Sequence, residues 1–266
     1  MKKLFLFISI ITIAFAACKK DDDTSSSSST TTGTTITASD FGNAGDTMLL
    51  NVDTTDLTGF SLGTPGQNVT WDFSNLGVDR VDTQAFLTPS TTPGGTYFTT
   101  SNLAIQPESG QSIYMYLLKG TDKVEGIGMW ANFQGTEIHA NYTDKPIMLK
   151  FPMSYNSSYN DTSFLEALVN TTTKINITQK FNCIVDATGT IKLPNNVSFT
   201  CIREKRTEIT INNVFVQVMG QWITYQTTQD TSYYYSFYAK NQKWDVATVR
   251  VDNFNANTIN EISYKK

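Results

Sequence analysis

The sequence predicts an all-β fold, an antiparallel β-sandwich or curved half-barrel with at most one short helix. Three observations lead there. From about Ile36 onwards apolar residues recur with period two, which puts alternate side chains on opposite faces of a strand. Gly, Pro and Asn clusters such as Thr64-Pro65-Gly66 and Thr92-Pro93-Gly94-Gly95 break the pattern at short intervals, as turns require. No repeat of 20–50 residues points to a solenoid or propeller.

The chain begins differently. Lys2 and Lys3 precede an apolar run from Leu4 to Phe15, which is shorter than the roughly 20 residues of a membrane-spanning helix and suited to a secretory leader. Ala16 and Ala17 are small, and Cys18 follows them directly. These residues resemble a lipobox, with Phe15 where an aliphatic residue is usual. The reading is a signal peptide over 1–17 and diacylglyceryl attachment at Cys18. Lys19-Lys20-Asp21-Asp22-Asp23 resembles the acidic export tag of surface lipoproteins of the Bacteroidota. Thr24 to Thr35 hold only Ser, Thr and Gly33, so 18–36 reads as a flexible tether with an r.m.s. reach on the order of 25 Å.

Residues 37–266 read as one β domain, the alternative being two β subdomains split near 150. Strands are predicted at 47–53, 68–74, 80–87, 112–119, 123–130, 136–142 and 146–151. Ser163-Phe164-Leu165-Glu166 fits a capping box, so a short helix and an irregular strand both stay open there. The clearest alternation is 174–186, with Ile175, Ile177, Phe181, Cys183 and Val185 on one face. Strands at 204–211 and 214–225 follow, joined by a tight turn at Asn212-Asn213, because Asn tolerates positive φ. Further strands are predicted at 231–240, 245–251 and 258–264.

Pairing centred on residue 192 would set Cys183 opposite Cys201, and outside the cytoplasm a disulfide is permitted. Two buried unbonded thiols are the alternative. Tyr233 and Tyr235, with Trp222 and Trp244 nearby, form a candidate aromatic surface for stacking on sugars or a protein partner. Asp46-Thr47-Met48 and Asp53-Thr54-Thr55 resemble Bacteroidota O-glycosylation sites at Thr47 and Thr54.

The net charge is −4, with 17% charged residues against about 25% in an average domain, so nothing attracts nucleic acid. His139, the single histidine, reads as a solvent-facing strand residue and cannot build a His-rich zinc site. Asp53-Thr54-Thr55-Asp56 lacks an EF-hand pattern and reads as a turn; no metal or cofactor is expected. Two carboxylates could serve glycoside hydrolysis, but no pair stands out among the acids.

The head 36–55 with QNVTWDFSNL (67–76), and the tail 233–264, resemble uncharacterised β-rich lipoproteins of the Bacteroidota. In the centre, Gly189, Thr190, Pro194 and Arg203 match a segment similar in that group. The resemblance implies an outer-membrane, lipid-anchored, cell-surface protein and carries no established activity. The expectation is a non-enzymatic binding or structural module, with the membrane and a glycan or envelope protein as partners. The alternative is a surface glycan hydrolase.

Overall fold

A computed structural model describes residues 34–266 apart from 56, 109, 134, 256 and 257. The predicted leader, Cys18 and the tether up to residue 33 lie outside the described residues. The strands in chain order are β1 (Thr47–Asp53), β2 (Gly66–Asp72), β3 (Arg80–Leu87), β4 (Leu103–Gln106), β5 (Ile113–Lys119), β6 (Lys123–Phe133) and β7 (Thr136–Asp144). They continue as β8 (Ile147–Lys150), β9 (Ser158–Asn170), β10 (Thr173–Leu193), β11 (Val197–Val218), β12 (Gln221–Ala239), β13 (Asp245–Val251) and β14 (Ile259–Lys265). No α-helix occurs among the described residues, only short 3-10 turns.

The strands pair in the order β11-β12-β13-β14-β1-β3-β4-β5-β6-β7-β9-β10, and β10 returns to β11, so the sheet closes on itself. This is a closed 12-stranded antiparallel barrel, where a sandwich or half-barrel was expected. Closure follows from strand length. β10 is long enough to pair with β9 along its first half and with β11 along its whole length. A ring of that kind leaves no open sheet edge in the barrel wall. Outside the ring, β2 runs parallel to the end of β10 and β8 extends the edge of β6.

Several boundaries differ from the predicted ones, and β12 runs unbroken through 226–230, where two strands were expected. β11 runs straight through Asn212-Asn213, and the hairpin turns at Met219 and Gly220, both at positive φ (49° and 81°). Positive φ at both central residues matches the twist of the flanking strands. The segment 163–170 is strand, because Ser163, Leu165 and Ala167 alternate inward, all three paired with β10 and the last two also with β7. The short β4 was not predicted at all.

Along β10, Ile175, Ile177, Phe181, Cys183 and Val185 share the inward face. A bulge at Asp186 then reverses the pattern, so that Ala187, Ile191 and Leu193 face outward into a second apolar layer. That layer is covered by Leu57, Trp71, Phe73 and Leu76 from the β1–β3 connection. A third layer, around Phe98, Tyr116 and Trp130, lies under the β3–β4 connection. Where nothing covers β10, its outward residues are Asn176, Thr178, Lys180 and Asn182. That is the opposite of the outward apolar band of a membrane-spanning barrel.

Candidate functional site

Inside the barrel, the inward residues of β11 read Ile202, Glu204, Arg206, Glu208, Thr210, Asn212 and Val214. The two ends belong to separate apolar clusters, while a belt of ionisable groups lies between them. Glu204 is 1% exposed and Asp245, at the start of β13, is likewise 1% exposed. Burying charge in this way is costly unless it is paired or neutralised.

The pairing is partial. Arg206 Nε donates to Glu204 Oε1 at 3.2 Å, and Nη2 donates to the Met148 carbonyl at 2.5 Å and to Tyr159 Oη at 2.9 Å. Glu208 Oε1 accepts from Gln179 Nε2 at 2.8 Å and from Thr210 Oγ1 at 3.3 Å. Thr248 Oγ1 donates to Asp245 Oδ2, whereas Asp245 Oδ1 is buried without a hydrogen-bond partner among the described residues. Burial raises the pKa of all three carboxyls, most strongly for Asp245, and Arg206 opposes that shift at each of them. One guanidinium therefore serves three carboxyls, and burial favours their neutral forms.

An open cavity of about 170 Å³ enters the wall beside this belt. Its lining comes from the β8–β9 connection, from the start of β9 and from the middle of β10. Phe151, Met153, Ile184 and Val185 supply apolar wall, Tyr159, Cys183 and Glu204 supply polar atoms, and Lys150 is exposed at the rim. Burial pushes the Cys183 thiol up to about 12, so it stays protonated and is no nucleophile. The cavity meets a single carboxyl, that of Glu204; Asp245 is not in its lining.

The structure separates most of the residues that the sequence singled out. Cys183 pairs across from Arg206, and Cys201 across from Gly189. Both thiols are free and buried, so the disulfide weighed above is not formed. The true turn is Pro194–Asn196, and the bulge at Asp186 puts the two cysteines on opposite faces of the wall. The candidate aromatic surface also dissolves. Tyr235 is buried in the outer layer and Trp244 in the interior; Tyr233 packs on Phe254, and Trp222 alone is exposed. Thr47 and Thr54 are exposed, with Thr54 Oγ1 donating to Asp79 at 2.6 Å. Asp53 ends β1, where a turn was expected, and its oxygens accept from the backbone N–H of Thr55 and Gly77.

His139 lies on the outer face, 23% exposed, 3.5 Å from Glu137 and beneath the Tyr97 ring. The string Gly59-Phe60-Ser61-Leu62-Gly63 has G-x-S-x-G spacing, which on a strand-to-helix elbow would expose a nucleophile. Here it is an exposed loop between β1 and β2 with no helix after it, and Ser61 Oγ accepts from Gly63 N. The belt itself was missed because charged residues alternating along a strand read as its wet face.

Gly189 and Arg203 prove to be fixtures of the outer layer and Pro194 of the turn beside it, while Thr190 is a ladder residue between Thr70 and Thr200. A Cβ on Gly189 would lie 1.8 Å from the Val69 carbonyl oxygen, so β2 can pair there only against glycine. Arg203, fully buried, grips Asp186 with two hydrogen bonds of 2.8 and 2.9 Å and also donates to the Leu62 carbonyl. Its guanidinium lies 4.7 Å from the Tyr235 ring centroid and 5.5 Å from that of Trp71.

Fold and site together define a class: a closed antiparallel barrel, plugged by its own side chains, with an ionisable belt and a small cavity in its wall. Compared with models of known families, with curated proteins and with solved structures, the chain matches none.

Proposed function

We propose that this chain is a lipid-anchored envelope protein whose barrel is a binding module and not a hydrolase. The anchor is Cys18, preceded by the leader and followed by the tether, and the placement is the outer membrane with the barrel at the cell surface. The resemblance to β-rich Bacteroidota lipoproteins supports that address. Support for binding comes from one observation: the cavity holds a single carboxyl, Glu204, among apolar walls. A glycosidase needs two facing carboxyls with sugar between them, and here the neighbouring acids, Asp245 and Glu208, are sealed within the barrel.

The test has two arms. Mass spectrometry of the mature protein should find an acylated Cys18 as residue one, and Cys18→Ala should release the barrel from the membrane fraction. Incubation with a panel of polysaccharides should liberate no reducing ends. Turnover that disappears in Glu204→Gln would overturn the binding reading.

A further inference from the structure

We infer that the wall cavity takes a small organic ammonium, its cationic head against the Glu204 carboxylate and its apolar body between Phe151, Met153 and Val185. This rests on the binding reading above and names the chemical class of the ligand.

Size comes first. Dedicated pockets for drug-sized ligands run to about 300–1,000 Å³, whereas a cavity of about 150 Å³ suffices for a benzene-sized molecule. At about 170 Å³ the cavity holds a head group with a body of roughly four to seven carbons. It is open to solvent, so a longer ligand could trail outward past Ser158.

Charge comes second. The groups facing Glu204 are Arg206 on its own strand, Tyr159 on β9, Cys183 on β10, Tyr238 on β12 and Asp245 on β13, with Lys150 at the rim. Arg206 is the cation of the belt, and it is already committed to the Met148 carbonyl and Tyr159 as well as to Glu204. The belt therefore holds more carboxyl than guanidinium, and an ammonium entering the cavity would supply a second cation beside Glu204. An anion would meet the belt's excess acid, and a neutral body would add no charge to balance it. Lys150 disfavours a second positive charge on the outer end of the ligand.

The experiment uses the folded barrel and three probes of equal length: n-butylammonium, 1-butanol and butyrate. NMR titration follows the amide signals of Tyr159, Ile184 and Val185. The ammonium should bind at least tenfold more tightly than either other probe. Its affinity should rise as the pH is raised, because burial favours the protonated Glu204 carboxyl and the ammonium competes with that proton. Glu204→Gln should abolish the preference. Ser158→Phe, at an exposed position on the mouth, should weaken all binding without touching a buried charge.

Equal or tighter binding of butanol or butyrate at the same amides would sink the ammonium assignment while leaving a binding cavity in place. Absence of shifts with every probe would remove the binding reading as well. Ammonium binding that survives both substitutions would place it elsewhere and likewise overturn the inference.

Discussion

Arg203 and Arg206 stand on the same strand and face opposite sides of the barrel wall, and they solve the burial of a cation in opposite ways. Arg203 has one partner, Asp186, held bidentately, with two rings against the guanidinium and a carbonyl at its remaining edge. The group is closed and charge-balanced, and it fastens the β1–β3 connection to the barrel. Arg206 is divided among Glu204, a backbone carbonyl and a tyrosine hydroxyl, and its field is shared with Glu208 and Asp245. A balanced pair is a fastening. An unbalanced one leaves room for a proton or a ligand, and the barrel opens its wall cavity beside the unbalanced one.

The largest effect expected is on the fastening. Arg203→Ala leaves Asp186 buried without its counter-ion, and removing one partner of a buried pair costs about 3–5 kcal/mol. Urea denaturation should show that loss. An unchanged midpoint would mean that Asp186 finds water and that the two arginines differ less than their geometry implies.

Next comes Gly189→Ala. Its Cβ would collide with the Val69 backbone, so β2 has to lift from β10, at a cost of about 1–3 kcal/mol for a clash of this kind. Limited proteolysis should then cut first in the 54–78 connection, while the amide signals of the interior belt stay in place.

The belt sets a pH dependence of definite sign. Folded-state carboxyl pKa values raised by burial mean that the native chain keeps protons that the unfolded chain gives up. That contribution to stability is complete below the ordinary carboxylate range of about 4 and is lost as pH rises through the raised values. The thermal midpoint should thus fall as the pH is raised above that range. Asp245→Asn, nearly isosteric and neutral, should flatten that slope and raise the midpoint at pH 8. A slope unchanged by Asp245→Asn would assign it to other groups.

The smallest effect belongs to the tip of the β11–β12 hairpin. Met219 is fully exposed and Trp222 is 37% exposed, so serine at either should change stability by no more than about 0.5 kcal/mol. A larger loss would mean that the tip packs on something in solution.

Several elements were legible because a strand's period is short and local. β1, β3 and β13 have the predicted ends, and the inward face of β10 is the predicted one as far as Val185. The difficulty began where two local rules competed. Asn212-Asn213 and Met219-Gly220 are both acceptable turns in isolation; the pairing of β10 with β11 as far as Thr173–Val216 decides for the second. The cysteine pairing failed by a similar route, because a single bulged residue, Asp186, moved Cys201 to the other face. On β11, Glu208 is buried while Ile209 is only half-buried, the reverse of what hydropathy predicts for a strand with one wet face.

By itself the sequence determined that the body is built of antiparallel strands and where many of them begin and end. Those properties follow from alternation and turn residues within a few positions of one another. Only the tertiary structure decided that the sheet closes, which face of β11 is inside, and that Glu204, Arg206, Glu208 and Asp245 meet there. Closure turns one face of every strand inward, and a charged face becomes a buried belt only when the strands on the far side of the ring complete its walls.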